Sequence, residues 1–174
     1  MIIKPFYELC PEMQPFIKFY TTVNKKEIIP TIGYELYCCV PECDCRLSTI
    51  MMYNAKTEKC LATLQYGWDN YDYYIKNEFV KSDVDNFING CLMMLENKNS
   101  VTLSVLEYFQ NWLREDNEIK KQLFSSRYNK CKVAAKAKGF TSKESDDWFS
   151  KNMLDMLGSG IFDDLIGNKS KNIK

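Results

Sequence analysis

The chain has 174 residues, with 23 basic and 23 acidic side chains, eight cysteines and no histidine. The missing imidazole excludes a Ser-His-Asp triad, a Cys-His dyad, an HExxH metalloprotease helix and a histidine phosphorelay. Its hydrophobic share of 45% and aromatic share of 14% fit a folded domain, not a disordered chain.

In chain order, Pro5, Pro11, Pro15 and Pro30 forbid one long helix over residues 1–33. Phe16, Ile17, Phe19 and Tyr20 predict a strand or short helix around 16–23. Tyr34 to Val40 is aromatic and β-prone, so it reads as a strand that Pro41-Glu42 breaks. Leu47 to Asn54 and Cys60 to Trp68 form a predicted hairpin around Ala55-Lys56-Thr57-Glu58. Beyond Gly67 the period lengthens. A capping-box-like Ser82/Asp85 introduces Val84, Phe87, Ile88, Cys91, Leu92 and Leu95 at helical spacing. Ser100 is the expected cap of a helix with Leu103, Leu106, Phe109 and Leu113 on its stripe. Asn117 is the expected cap of another, carrying Ile119, Leu123, Phe124, Tyr128, Cys131 and Ala135 and closed by Gly139. Thr141 and Glu144 form a further capping box before Trp148, Phe149, Met153, Met156 and Leu157. These elements predict an α+β fold, a small antiparallel sheet followed by a helical C-terminal half. Residues 1–139 are read as one domain, 140–167 as an appended amphipathic helical segment and 168–174 as a disordered lysine-rich tail.

Four of the eight cysteines fall within eight residues, in Cys38-Cys39-Val-Pro-Glu-Cys43-Asp-Cys45. Zinc takes four ligands in a tetrahedron, with Zn–S near ~2.3 Å. Ligands four to five residues apart across a turn can converge on one ion. Cys38, Cys43 and Cys45 therefore form a plausible three-thiolate corner for a structural zinc. Cys39 points away from Cys38 if both lie on a strand. Cys60 sits opposite about Tyr53, and Cys91 and Cys131 lie on helix faces. Cys10 is then the fourth ligand by elimination, with a carboxylate such as Asp44 as the alternative. The competing readings are ordinary core thiols, redox or catalytic thiols, and an iron–sulfur cluster. The first residues lack a signal-peptide pattern and no stretch of eighteen apolar residues occurs. A reducing cytoplasmic location is the expectation, with thiols or metal ligands preferred over disulfides.

Tyr37-Cys38-x4-Cys43-Asp44-Cys45-Arg46, followed by Ala62-Thr63-Leu64-Gln65-Tyr66-Gly67-Trp68 at a strand end, resembles a family of small uncharacterised bacterial proteins. The likeness covers roughly residues 34–135 and is most specific over 37–68. It implies a cysteine-based metal site with ligand roles for Cys38, Cys43 and Cys45, and no established activity. The chain departs from that pattern at Arg127, where the family carries His before the tyrosine matching Tyr128, and in the segment after Gly139.

Tyr66, Trp68 and Tyr71, with Trp148, Phe149 and Phe162 further on, are the candidate partner-binding residues, because large aromatics adapt to partner surfaces. Core packing is the competing account. Lys120, Lys121, Arg127 and Lys130 offer a basic face for nucleic acid, but twenty lysines against three arginines argue for a solvated helix exterior. No Walker A, GxGxxG, GxSxG or EF-hand motif is present. The sequence is therefore read as a non-catalytic, zinc-stabilised protein that binds another macromolecule, with a protein partner and no membrane. A zinc-dependent hydrolase with an open metal position, or a thiol redox protein, is the alternative.

Overall fold

Burial alternates with period two from Ile29 to Tyr37, and this segment is the central strand. The computed structural model describes residues 3–40, 42–93 and 98–139. In chain order the elements are β1 (Ile3–Pro5), α1 (Phe6–Leu9), β2 (Ile17–Val23), β3 (Glu27–Cys38), β4 (Leu47–Asn54), β5 (Cys60–Gly67), α2 (Tyr71–Lys76), α3 (Lys81–Phe87), β6 (Cys91–Leu92), α4 (Ser100–Arg114) and α5 (Asn117–Ala137). Every strand pairing is antiparallel. One edge of β3 is shared end to end, by β2 along Glu27–Gly33 and by β1 along Leu36–Cys38. Its other edge takes β4, then β5 and β6. The two long helices follow the sheet, so the α+β expectation holds.

The hairpin expected over 47–68 is β4–β5. Asn54 Oδ1 accepts from the amides of Lys56 (2.9 Å) and Thr57 (3.3 Å), which turns the chain. Glu58 completes the reversal at φ 56°. Cys60 pairs with Tyr53, as the sequence spacing places it.

One face of the sheet buries Ile17, Tyr37, Ile50, Met52, Leu64 and Tyr66 against α4 (Val105, Phe109, Leu113) and α5 (Phe124, Tyr128, Cys131, Ala135). Each such side chain is worth about 1.5–3 kcal/mol of burial. Aromatic rings set the fit: Tyr66 and Phe124 meet edge-on at 4.9 Å and Trp68 stacks on Phe124 at 6.1 Å. α4 is held at its start by Asn99, whose side chain accepts from the Val101 and Thr102 amides while Thr102 Oγ1 accepts from the Asn99 amide. The cap is thus one residue before the expected Ser100. α5 follows Asp116 in a left-handed conformation, not an Asn117 cap, and ends at Gly139, φ 71°, as expected.

The helix expected through Leu95 stops at Phe87. α3 begins at Lys81 without a side-chain cap, so Ser82 and Asp85 lie inside it. Gly90 at φ 77° turns the chain, and Cys91–Leu92 then pairs with Gln65 and Leu64 as β6. The edge of β5 supplies hydrogen bonds that a longer helix would have had to supply itself. Leu95 lies outside the described residues. A second small core of Tyr74, Val84 and Phe87 packs α2 and α3 beside β5. A Cβ on Gly67 would stand 2.6 Å from Tyr74 Oη and 2.7 Å from Phe87, so glycine permits that approach.

A charged pair lies inside the fold. Glu35, on the inner face of β3, is 0% exposed and Arg127 of α5 is 7% exposed. Arg127 Nη1 donates to Glu35 Oε1, and Tyr7 Oη donates to Oε2 at 2.7 Å. Arg127 Nη2 donates to the Gln14 carbonyl at 2.6 Å, and the guanidinium lies 4.5 Å from the Phe16 ring centre. A buried charge is tolerated when it is paired and hydrogen-bonded, as both groups are here. This corrects the basic-face reading of Arg127. Lys120 is likewise engaged, donating to the Trp112 and Glu115 carbonyls at the α4–α5 corner.

Candidate metal centre

β3 ends at Cys38 and β4 begins at Leu47, and the link between them is an irregular turn. It closes tightly because the Cys43 amide donates to the Val40 carbonyl at 3.2 Å and Arg46 takes φ 49°. The sulfurs of Cys38, Cys43 and Cys45 all lie within 4.8 Å of one another, Cys38 buried and the other two half-buried. A tetrahedral ion with Zn–S of ~2.3 Å wants its sulfurs about 3.8 Å apart, so the three need only small movements to close on one cation. This group could hold a metal ion.

Side chains from two helices hold the backbone of this turn. From α5, Lys132 Nζ donates to the carbonyls of Val40 and, at 2.6 Å, Cys43, and Tyr128 Oη donates to Cys43 at 2.9 Å. From α2, Tyr73 Oη donates to the Asp44 carbonyl and Tyr74 Oη to the Arg46 carbonyl at 2.8 Å. Asn70 sets α2 in place by accepting from the Tyr73 amide at 2.8 Å. The carbonyls are thus satisfied by donors outside the turn.

Protonation is uneven across the three sulfurs. Hydrogen bonds from Cys38 and Cys45 hold the Cys43 thiol far below the ordinary cysteine value. The same sharing pushes Cys45 and Cys38 up, with burial adding to it. Cys43 is therefore the thiol of the three that gives up its proton most readily. Loading zinc at neutral pH is expected to release protons, because the sulfurs bind as thiolates. Titration in weak buffer with a pH indicator checks this, and zinc uptake without proton release would contradict thiol ligation.

Three thiolates and one divalent cation sum to a single negative charge, and the Lys132 ammonium beside Cys43 offsets it. The Asp44 carboxylate is engaged elsewhere. It accepts from Arg46 Nε at 3.2 Å and Nη2 at 2.9 Å, and Arg46 holds its pKa down. Arg46 Nη1 also reaches Asp69 at 2.5 Å, and the guanidinium stacks 4.0 Å over Tyr73.

The expected fourth ligand, Cys10, does not join the group. It closes the α1 turn through its amide to Phe6 and lies in the electrostatic field of Glu12, Lys130 and Lys138. Cys131 of α5 also lies within its electrostatic reach. The α1–α5 packing that places it there is a long-range feature that elimination along the sequence misses. Cys39 turns away from Cys38, and its sulfur lies 3.5 Å from that of Cys131 in the core.

Tyr66 (2% exposed) and Trp68 (5% exposed) belong to the core, which corrects their reading as partner contacts. They sit where β5 meets α5, so the rings fill the layer between sheet and helices. Tyr71 is half-buried beside Tyr74. Trp148, Phe149 and Phe162 lie outside the described residues. Of the residues that hold the turn, Tyr128 is marked by the resemblance, while Tyr73, Tyr74 and Lys132 have no motif to mark them. The helical start at Asn70-Tyr71-Asp72-Tyr73 was the available signal for Tyr73 and Tyr74. No helix among the described residues is long and apolar enough to cross a membrane. No protein-family model, curated protein or solved structure matches this chain.

Proposed function

We propose that this chain is a non-catalytic, zinc-stabilised protein that binds another macromolecule, with zinc held by Cys38, Cys43 and Cys45. The convergence of three sulfurs from an eight-residue stretch carries this reading. Thiolate ligands suit zinc better than magnesium or calcium, which take oxygen donors. Bound zinc would supply a fixed cross-link between the ends of β3 and β4. This chain's own residues do the rest: Lys132 offsets the site's negative charge and the tyrosines hold the turn's carbonyls in place. A protein partner is supported by a cleft of about 620 Å³ on the outer sheet face, lined by Tyr7, Ile32, Tyr34, Leu36, Met51 and Tyr53. Partly exposed aromatics of this kind favour protein contacts.

The second reading is a zinc hydrolase with an open metal position, favoured by the presence of three sulfur donors and no fourth donor in the group. The site's nearest carboxylates weigh against it, because Asp44 and Asp69 are both paired with Arg46 and neither is free as a base. Elemental analysis of protein prepared in metal-free buffer and then reloaded tests the main reading. One zinc per chain, lost in Cys43→Ser, is the expected result. A chain that takes up no zinc, or whose melting temperature ignores a chelator, overturns it.

A further inference from the structure

Cys39 and Cys131 stand 92 residues apart in sequence, yet their sulfurs meet at 3.5 Å. Both side chains are 0% exposed. Cys39 extends from the end of β3, and Cys131 lies on the inward face of α5. A disulfide needs a sulfur separation near ~2.05 Å, so the gap to close is about 1.5 Å, within reach of side-chain rotation. An open cleft along α5 is lined by Cys10, Val133, Ala134 and Ala137 but by neither sulfur of the pair, so a small oxidant reaches them when this end of α5 opens locally.

We propose that Cys39 and Cys131 are a reversible oxidation site, at which a hydroperoxide converts the buried dithiol into a disulfide joining the sheet to α5. The Cys131 thiol loses its proton and attacks the peroxide as the thiolate; the O–O bond breaks, the sulfur becomes a sulfenic acid, and the proton leaves with the released alcohol or water. The Cys39 thiol then attacks that sulfur. The S–S bond forms, the S–O bond breaks and the hydroxyl leaves as water with the Cys39 proton. Two thiols have lost two electrons and two protons, and one hydroperoxide has been reduced. Reduction by a thiol restores the starting pair. This inference is independent of zinc, because neither sulfur belongs to the three-cysteine group.

The link closes a loop of 92 residues. A loop of that size constrains the unfolded chain enough to raise the melting temperature by roughly 10 °C in a protein of this length. The test treats the full chain with hydrogen peroxide, blocks remaining thiols under denaturing conditions and maps linked peptides by mass. The expected result is a Cys39–Cys131 peptide pair lighter by two hydrogens, a raised melting temperature, and return of both on adding dithiothreitol. Cys39→Ala and Cys131→Ala should each abolish the shift while the unoxidised variants remain folded by circular dichroism. Should either variant fail to fold, the peptide map of the parent chain decides alone. Cys39 and Cys131 remaining fully alkylatable, ending as sulfinic acids, or linked instead to Cys10 or Cys38 overturns the proposal.

Discussion

Arg127→Met is expected to destabilise the chain by about 3–5 kcal/mol, because it leaves a buried carboxylate without its cation. Glu35 is fully enclosed, and only the Tyr7 hydroxyl at 2.7 Å would remain on it. Glu35→Leu should cost a similar amount by stranding the guanidinium among Phe6, Phe16 and the Gln14 carbonyl. The double variant should recover most of the loss, since two apolar side chains bring no charge to desolvate. Urea unfolding of the four proteins measures this as a coupling energy, and additive single effects would sink it. Burial pushes the Glu35 carboxyl above the ordinary glutamate value, against the opposing pull of Tyr7 and Arg127. A carboxyl raised in the folded state binds its proton more tightly folded than unfolded. Between the unfolded and folded values, stability therefore falls as pH rises. Removing Arg127 raises Glu35 further, so the Arg127→Met penalty should be smaller in mild acid than at pH 8.

The second large effect concerns the helix side of the metal turn. Tyr128→Phe with Lys132→Met removes the donors that α5 places on Val40 and Cys43 while leaving all three sulfurs intact. Zinc affinity is expected to fall about 10- to 100-fold, the usual cost of removing groups that orient metal ligands. Phenylalanine keeps the Tyr128 ring against Trp68, 5.2 Å away, so the core should survive. Lys132→Arg should recover more affinity than Lys132→Gln if charge is the main contribution. Competition against a chromophoric chelator reads these values. Affinity within twofold of the parent, alongside loss in Cys43→Ser, would show that the sulfurs alone define the site.

Local chemistry was legible and long-range packing was not. Alternation and a turn loop announced β4–β5, and clustered cysteines announced the group formed by Cys38, Cys43 and Cys45. Gly139 announced the end of α5. By contrast, the edge partner of β5 could not be read, because Cys91–Leu92 continues a helical spacing and only Gly90 interrupts it. Trp68 and Tyr66 read equally as partner contacts or as core, and α5 laid over them decides for the core. Cys10 was assigned by elimination, which ignores which helix lies beside it. Glu35 carried no signal of its burial: it shares its face with Thr31 and Gly33, opposite Ile32, Tyr34 and Leu36, a pattern that reads as solvent-facing, and only the packing of α5 buries it.

The Glu35–Arg127 pair also sets a timetable. Its partners are 92 residues apart, and the strands on both sides of Glu35 are complete by Gly67. At ribosomal rates of about 5–20 residues per second, the cation emerges roughly 5–18 seconds after the carboxylate. During that interval the nascent sheet carries a charge at the centre of its apolar face, and α5, which brings the matching charge, is not yet in place. An unpaired carboxylate at the centre of that face disfavours its collapse until α5 arrives with the matching charge. Slow translation between Gly67 and Arg127 is thus expected to prolong the time the face stays open.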